Sequence, residues 1–489
     1  MTVILSEALC AAATQTPDRV LVIDGADTLD CRTLLQRANG LAQALLARLQ
    51  VGSVVSFMLP NWHEAAVIYL GATLAGMVVN PILPSLREHE LSYILADCES
   101  RIIFIPSTFR GHDYPSMLIS VCAGLPNPPE VIVVRGDQPW ATSPVHTDLP
   151  QLDLDDVRMV LYTSGTAGKP KGVLHSHRSL GALIAQLHQH WRVEPGDTFL
   201  VPSPVAHIGG SIYAFECPLL LDTTAVLMDQ WDAAAAVTLM TEHRCTHMAG
   251  ATPFLTGLLA AAKKALSRLP DLKVFICGGA SVSPQLIRSA AAYFDKAIVT
   301  RVYGSTEIPV TTVGAPDDRE RAADTDGRPG IADVKLVDGE IRVKGPQMLL
   351  GYLHPEDDAL DADGYFRTGD LGRWTDDGYL VVTGRAKDLI IRNGENISPK
   401  EIEDVLAGHP DIDEVAVVGL PDERTGERAV AVVITAATIT VADLRRYLTE
   451  RGVARFKIPE QVEIWDALPK NDAGKILKQQ IRTELAACQ

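Results

Sequence analysis

Apolar and polar positions along this chain change period repeatedly. Between residues 30 and 310, stretches with an apolar face at helical spacing alternate with short, nearly continuous apolar runs. Residues 34–49 and 64–75 predict helices, whereas 53–57 (SVVSF), 101–105 (RIIFI) and 273–277 (KVFIC) predict strands. This alternation predicts α/β layers with largely parallel sheets, whose ligands gather where strands end. The longest apolar stretch, 65–79, contains Gly71 and Gly76 and is too short to span a bilayer, so a buried helix is expected there.

From about 325 to 385 the texture becomes short strands (333–337, 340–344, 379–383) between Gly and Asp turns, a small β-rich subdomain. A compact α+β unit follows Arg385. Ser398-Pro399-Lys400-Glu401 predicts a capping box with proline at the first helical position, and Gly408 suits the end of that helix. Strands at 414–418 and 429–434 come next, and Thr440 opens a helix over 441–451. No repeat or long polar linker intervenes. The expected division is a large domain over 1–386 and a small, mobile C-terminal domain over 387–489, joined by a tight hinge.

Composition narrows the partners. At 489 residues the chain exceeds the usual size of a single core. It is 47% hydrophobic and 21% charged, so a large core can be buried. A net charge of −17 argues against wrapping a nucleic acid. It leaves room for ATP, because a local nest of N–H donors and lysines can hold phosphates inside an acidic protein. The eight cysteines are scattered without metal-ligand spacing, and the N-terminus lacks a basic, then apolar leader. Reduced thiols and a cytoplasmic location are therefore expected, with no transmembrane segment.

Candidate chemistry starts at residues 161–177, LYTSGTAGKPKGVLHSH. Thr163, Ser164, Gly165, Thr166, Gly168, Lys169 and Lys171 combine permissive backbone, hydroxyl donors and charge, as a triphosphate cradle requires. It is not a Walker loop: Thr163 stands where that pattern needs glycine, and Pro170 follows Lys169. Alone, such a loop reads equally well as an exposed turn. Other segments follow in order: PVAHIGG (204–210), VYGSTEI (302–308), YFRTGDLG (365–372), GRAKDLIIRNGENISPKEIE (384–403) and LPKNDAGKILK (468–478).

Taken together, these segments resemble the adenylate-forming superfamily of acyl-CoA synthetases, peptide-synthetase adenylation domains and firefly luciferase, over about residues 30–480. The resemblance implies ATP, Mg²⁺ and CoA as cofactors. It implies that the 163–171 loop grips the β- and γ-phosphates, that Thr306 contacts phosphate and that Glu307 is the Mg²⁺ ligand. Gly279, Ala280, Tyr303 and Gly304 match the nucleotide wall, and Asp370 and Arg385 the ribose contacts. Lys475 matches the lysine that stabilises charge as a carboxylate attacks the α-phosphorus, Lys387 the hinge, and Gly394 the glycine of the pantetheine tunnel. His207 is the remaining catalytic candidate. Taken singly, each has a plainer reading: Asp370 and Gly394 as turn formers, Glu307 as a helix-start acid, Lys475 as an exposed lysine, His207 as a packed histidine.

In amino-acid-activating relatives an aspartate pairs with the substrate ammonium. Here Ile208 stands in its place, where a buried ammonium would be unpaired. Gly209 and Gly210 leave space, and Tyr213, Phe215 and Ala251 offer apolar surface. The expected substrate is a compact apolar acid: aromatic, alicyclic or medium-chain aliphatic. The expected reaction is ATP-dependent formation of acyl-AMP and pyrophosphate, then transfer to the thiol of CoA. Loading of a carrier-protein phosphopantetheine is the alternative, and a homodimer is open.

Overall fold

The structure is a computed structural model that describes residues 4–136, 147–163, 169–279, 282–294, 296–314, 318–471 and 474–487. The first expected helix forms at Cys31–Leu46, and the Asp30 carboxylate caps it by accepting from the Thr33 amide at 2.7 Å. The second forms at His63–Leu74 and is buried on every side. The apolar run that contains it does not continue as one helix. Gly76, at φ +66°, breaks it, and the remainder becomes the parallel strand Val78–Pro81. A run of β-branched residues after a left-handed glycine favours the extended state.

Two large sheets carry the N-terminal part. The nine-stranded sheet has a parallel centre: Ile298–Tyr303, Val274–Gly278, His247–Gly250, Thr198–Val201, Thr224–Leu227 and Val20–Asp24 lie side by side. The seven-stranded sheet is parallel from Val157–Thr163 to Glu130–Val134. Its other end is antiparallel: Lys171–Ser176 folds back on Val157–Thr163, and Gly351–Tyr352 pairs with that return strand. One core cluster joins the two sheets through the helices Cys31–Leu46, His63–Leu74 and His177–Trp191.

The β-rich region is a four-stranded antiparallel sheet of Asp333–Val337, Glu340–Lys344, Phe366–Trp374 and Leu380–Arg385. Beyond it, Ile390–Arg392, Glu395–Ile397, Glu414–Asp422, Gly426–Ile434 and Gln461–Ile464 form a separate sheet with its own cores. The helix Val441–Glu450 begins after Thr440 as expected and carries a capping box, with Thr440 and Asp443 reciprocally bonded.

The box expected at Ser398 is not formed. The helix starts at Pro399, but the Ser398 hydroxyl donates to the Thr383 carbonyl at 2.5 Å, and Glu401 pairs with Lys457. Tertiary partners outcompete the local cap. Among the described residues no helix is long and apolar enough to cross a membrane.

Candidate active site

Strand ends of both large sheets and the last loop of the chain meet at one cleft. At the nucleotide wall, Val274–Gly278 ends beside Ile298–Tyr303. A Cβ on Gly278 would lie 2.3 Å from Val302 Cγ1, so the strands approach too closely for any side chain. Gly279 turns the chain at φ +79° with open space where a Cβ would stand, which explains why glycine recurs here. Gly304 is equally constrained, its virtual Cβ lying 2.6 Å from the Val310 amide nitrogen. Ala280 lies outside the described residues, as do Ser164, Gly165, Thr166 and Gly168 of the phosphate loop.

Asp370 is buried at the turn of Phe366–Trp374 and faces Arg385 across the sheet. Its Oδ1 lies 2.9 Å from Arg385 Nε, and its Oδ2 accepts from the Tyr303 hydroxyl at 2.9 Å. The wall tyrosine and the ribose candidates thus form one unit. A carboxylate has about four lone-pair sites. With only part of that capacity used by Arg385 and Tyr303, Asp370 can also accept from a diol. Burial and the neighbouring Asp370 carboxylate push the Tyr303 phenol well above its ordinary range, so it stays a neutral donor.

Flanking the phosphate loop, Thr163 and Lys171 lie opposite each other in the antiparallel ladder. Lys171 Nζ lies 3.0 Å from Asp357 and over the Tyr352 ring. Lys169 is exposed. Glu307 is half-buried, and its Oε1 accepts from the Tyr352 hydroxyl at 3.1 Å. The Thr306 carbonyl accepts from His175 Nε2 at 2.7 Å. Sequence reasoning missed His175, Tyr352 and Asp357. Only the antiparallel register, which sets Val173 against Tyr352, brings His175 to Thr306 and Tyr352 to Glu307, while Asp357 pairs with Lys171.

Lys475 sits on a turn closed by the Asn471 side chain, which accepts from the Lys475 amide at 2.9 Å. That turn rests on the large domain: a Cβ on Gly474 would stand 2.8 Å from Pro253 Cγ and 3.8 Å from Ala251 Cβ. Burial and then the field of Arg385 lower the Lys475 ammonium to about 8, while Asp370 raises it. Lys387, on the single turn Ala386–Asp388, is lowered by burial and by Arg385. Gly394 occupies a two-residue hairpin with Asn393, at φ +83° and +51° respectively. This turn alone demands the glycine. Nothing lies within 4 Å of its virtual Cβ in this pose.

His207 precedes the short helix Ile208–Ser211, and its Nε2 is buried without a hydrogen-bond partner among the described residues. Burial lowers its pKa to about 4, so the ring is neutral. His177 Nδ1 is likewise buried without a partner among the described residues, so the open Nε2 alone does not single His207 out; two residues on, the virtual Cβ of Gly209 meets nothing within 4 Å. The acyl surface expected from Tyr213 and Phe215 needs correction. Both lie in the π-helix Ile212–Glu216 and are spent on internal stacking, Tyr213 on Phe199 and Phe215 on Tyr69. Pro218 cannot donate to the helix behind it, which favours the widened turn. Ala251 is buried beneath the Lys475 turn. A second hollow adjoins this segment through Pro204, with Arg87, Arg110, Phe109, Trp231 and Asp229 in its lining.

Comparison with known proteins places this geometry. The family described as AMP-binding enzyme matches residues 9–353, and the AMP-binding enzyme C-terminal domain matches 401–475. The chain is 33% identical to the medium-chain fatty-acid–CoA ligase of Escherichia coli (strain K12), over 96% of this chain and 88% of that protein. It is 32% identical to the fatty acid–[acyl-carrier-protein] ligase ScoC of Streptomyces coeruleorubidus, over 93% of this chain and 91% of that one. Among solved structures, ATP-bound MatB from Rhodopseudomonas palustris superposes with a TM-score of 0.89 at 29% identity, over 99% of both chains. Its apo form superposes less well, at 0.79.

Proposed function

This chain belongs to the AMP-binding enzyme family, and from that premise we propose that it is an AMP-forming acid–thiol ligase acting on an apolar carboxylic acid. An oxygen of the acid attacks the α-phosphorus of ATP, the α–β phosphoanhydride bond breaks, and acyl-AMP and pyrophosphate form. The sulfur of CoA then attacks the acyl carbon, and AMP leaves.

One observation carries this reading: the Lys475 turn is seated on Ala251 and Pro253, with its ammonium in the field of Asp370 and Arg385. A cation from the far end of the chain thereby reaches the ribose candidates and the acyl wall. Charge builds at the α-phosphorus as two anions meet, and a preorganised cation in a partly dehydrated cleft stabilises it. Glu307 is suited to hold Mg²⁺, being a hard, half-buried carboxylate already oriented by Tyr352. When bound, Mg²⁺ supplies charge neutralisation at the phosphate oxygens. In its Nε2–H tautomer, His207 would give the incoming carboxylate a donor that no other described group uses. Ile208 at the start of the same helix offers an α-ammonium no partner.

CoA is the favoured acceptor. The hollow beside Pro204 is lined by Arg87 and Arg110, cations that suit phosphates, and by Trp231 and Phe109, against one carboxylate, Asp229. Transfer to a carrier-protein thiol is the second reading, supported by the likeness to ScoC. The seven described cysteines are free, which supports a reducing, cytoplasmic setting.

Incubation with ATP, Mg²⁺ and a panel of acids, followed by mass spectrometry, tests this. AMP, pyrophosphate and acyl-CoA are expected with octanoate-like or aryl acids. ADP as product, or thioester on a carrier protein but never on CoA, would overturn the corresponding part.

A further inference from the structure

We propose that His175 is a positioning residue that holds the Thr306–Glu307 segment in place at the triphosphate, a role that rests on the ligase reading above. Neither helix nor strand is formed between Tyr303 and Thr312, so no ladder satisfies the buried carbonyls there. Internal bonds are few: the Ser305 amide to the Ile308 carbonyl at 3.3 Å, the Ile308 amide to the Ser305 hydroxyl at 3.4 Å, and the Thr311 hydroxyl to the Ile308 carbonyl at 2.9 Å. Val310 has φ +49°, a left-handed conformation that a β-branched residue adopts only under strain. Such strain persists only where the surroundings over-determine the backbone.

The anchors come from outside the segment. Gln186 Nε2 donates to the Val310 carbonyl at 3.2 Å, and the Leu349 amide donates to the Glu307 carbonyl at 2.7 Å. The Tyr352 hydroxyl donates to the Glu307 carboxylate at 3.1 Å, and His175 Nε2 donates to the Thr306 carbonyl at 2.7 Å. His175 provides the shortest of the side-chain anchors and the one nearest the phosphate-contacting hydroxyl.

Its position on the return strand makes that anchor specific. Strand alternation puts Lys171, Val173 and His175 on one face, and Tyr352, opposite Val173, joins them. Val173, Ile308 and Tyr352 share one buried cluster. The strand that carries Lys171 beside the phosphate loop therefore also carries the clamp on Thr306. Both phosphate-binding segments are referred to one rigid element. The ring is fully buried, and its Nδ1 lies 3.2 Å from Ser179 Oγ. A carbonyl only accepts, so the proton is on Nε2.

The test compares His175→Phe and His175→Gln in the full chain by acid-dependent ATP–pyrophosphate exchange, with melting temperatures measured in parallel. The Phe variant fills the space without a donor. Its kcat is expected to fall about 10- to 100-fold with a raised KM for ATP, while the KM for the acid stays within about twofold. The Gln variant, which restores an N–H, is expected to recover most of the loss. If the Phe variant does not fold, His175→Leu takes its place and the same split decides. Wild-type constants in the donor-less variant would overturn the role. So would a parallel rise of both KM values without rescue by Gln. Absence of exchange in the wild-type protein removes the ligase reading and this role with it; exchange there with an unaffected variant removes this role alone.

Discussion

Lys475 is a base whose proton is made easier to lose. Burial is the main cause and Arg385 the second, and together they lower it to about 8. A lowered pKa in a base means that the positive charge is present below that pH and is lost as pH rises through it. The kcat/KM for ATP in adenylation is therefore expected to fall above about pH 8. Lys475→Arg keeps its charge there, so its profile should stay flat across the same range; an identical fall in that variant would contradict the assignment. His207 makes a second prediction. A neutral donor given to a carboxylate contributes about 1.5–3 kcal/mol. His207→Ala should raise the KM for the acid roughly 10- to 100-fold and leave the KM for ATP nearly unchanged, measurable by initial rates with each substrate varied. Lys475, Asp370 and Glu307 could be proposed from the sequence because each lies within a local motif. His175 and Tyr352 could not, since their partners lie 131 and 45 residues away and depend on strand register.

Elements whose periodicity was strong formed close to where the pattern put them, including Asp333–Val337 and Glu340–Lys344. Errors arose where a tertiary contact outweighed a local rule. Ser398 has the sequence of a cap, yet its hydroxyl bonds to Thr383 on the strand preceding Lys387. Tyr213 and Phe215 have the composition of a pocket wall, yet they stack within the core. The Ser398–Thr383 bond spans the expected hinge, so rotation of the small domain about Lys387 would break it. A single such bond contributes about 1 kcal/mol. Ser398→Ala is expected to speed thioester formation from preformed acyl-AMP up to about fivefold in a single turnover, with at most a small drop in melting temperature. An unchanged or slower transfer would contradict the role of this bond at the hinge.

At the scale of the molecule, two sheet systems carry the candidate nucleotide wall and the strands flanking the candidate phosphate loop, and the small domain seats the Lys475 turn on Pro253 and Ala251. The sheets are rigid because one apolar core joins them. The small domain has its own cores, which suits a body that moves as a unit. On the proposed reading, this arrangement separates binding from chemistry: the large domain would hold ATP and acid, and the Lys475 turn would complete the site for the first half-reaction. The most direct test is acid-dependent ATP–pyrophosphate exchange in the wild-type protein and in Lys475→Ala, alongside transfer of presynthesised acyl-AMP to CoA. The account predicts exchange in the wild type, a loss of at least about 100-fold in the variant, and unimpaired transfer in both. Equal exchange in the two proteins would contradict it.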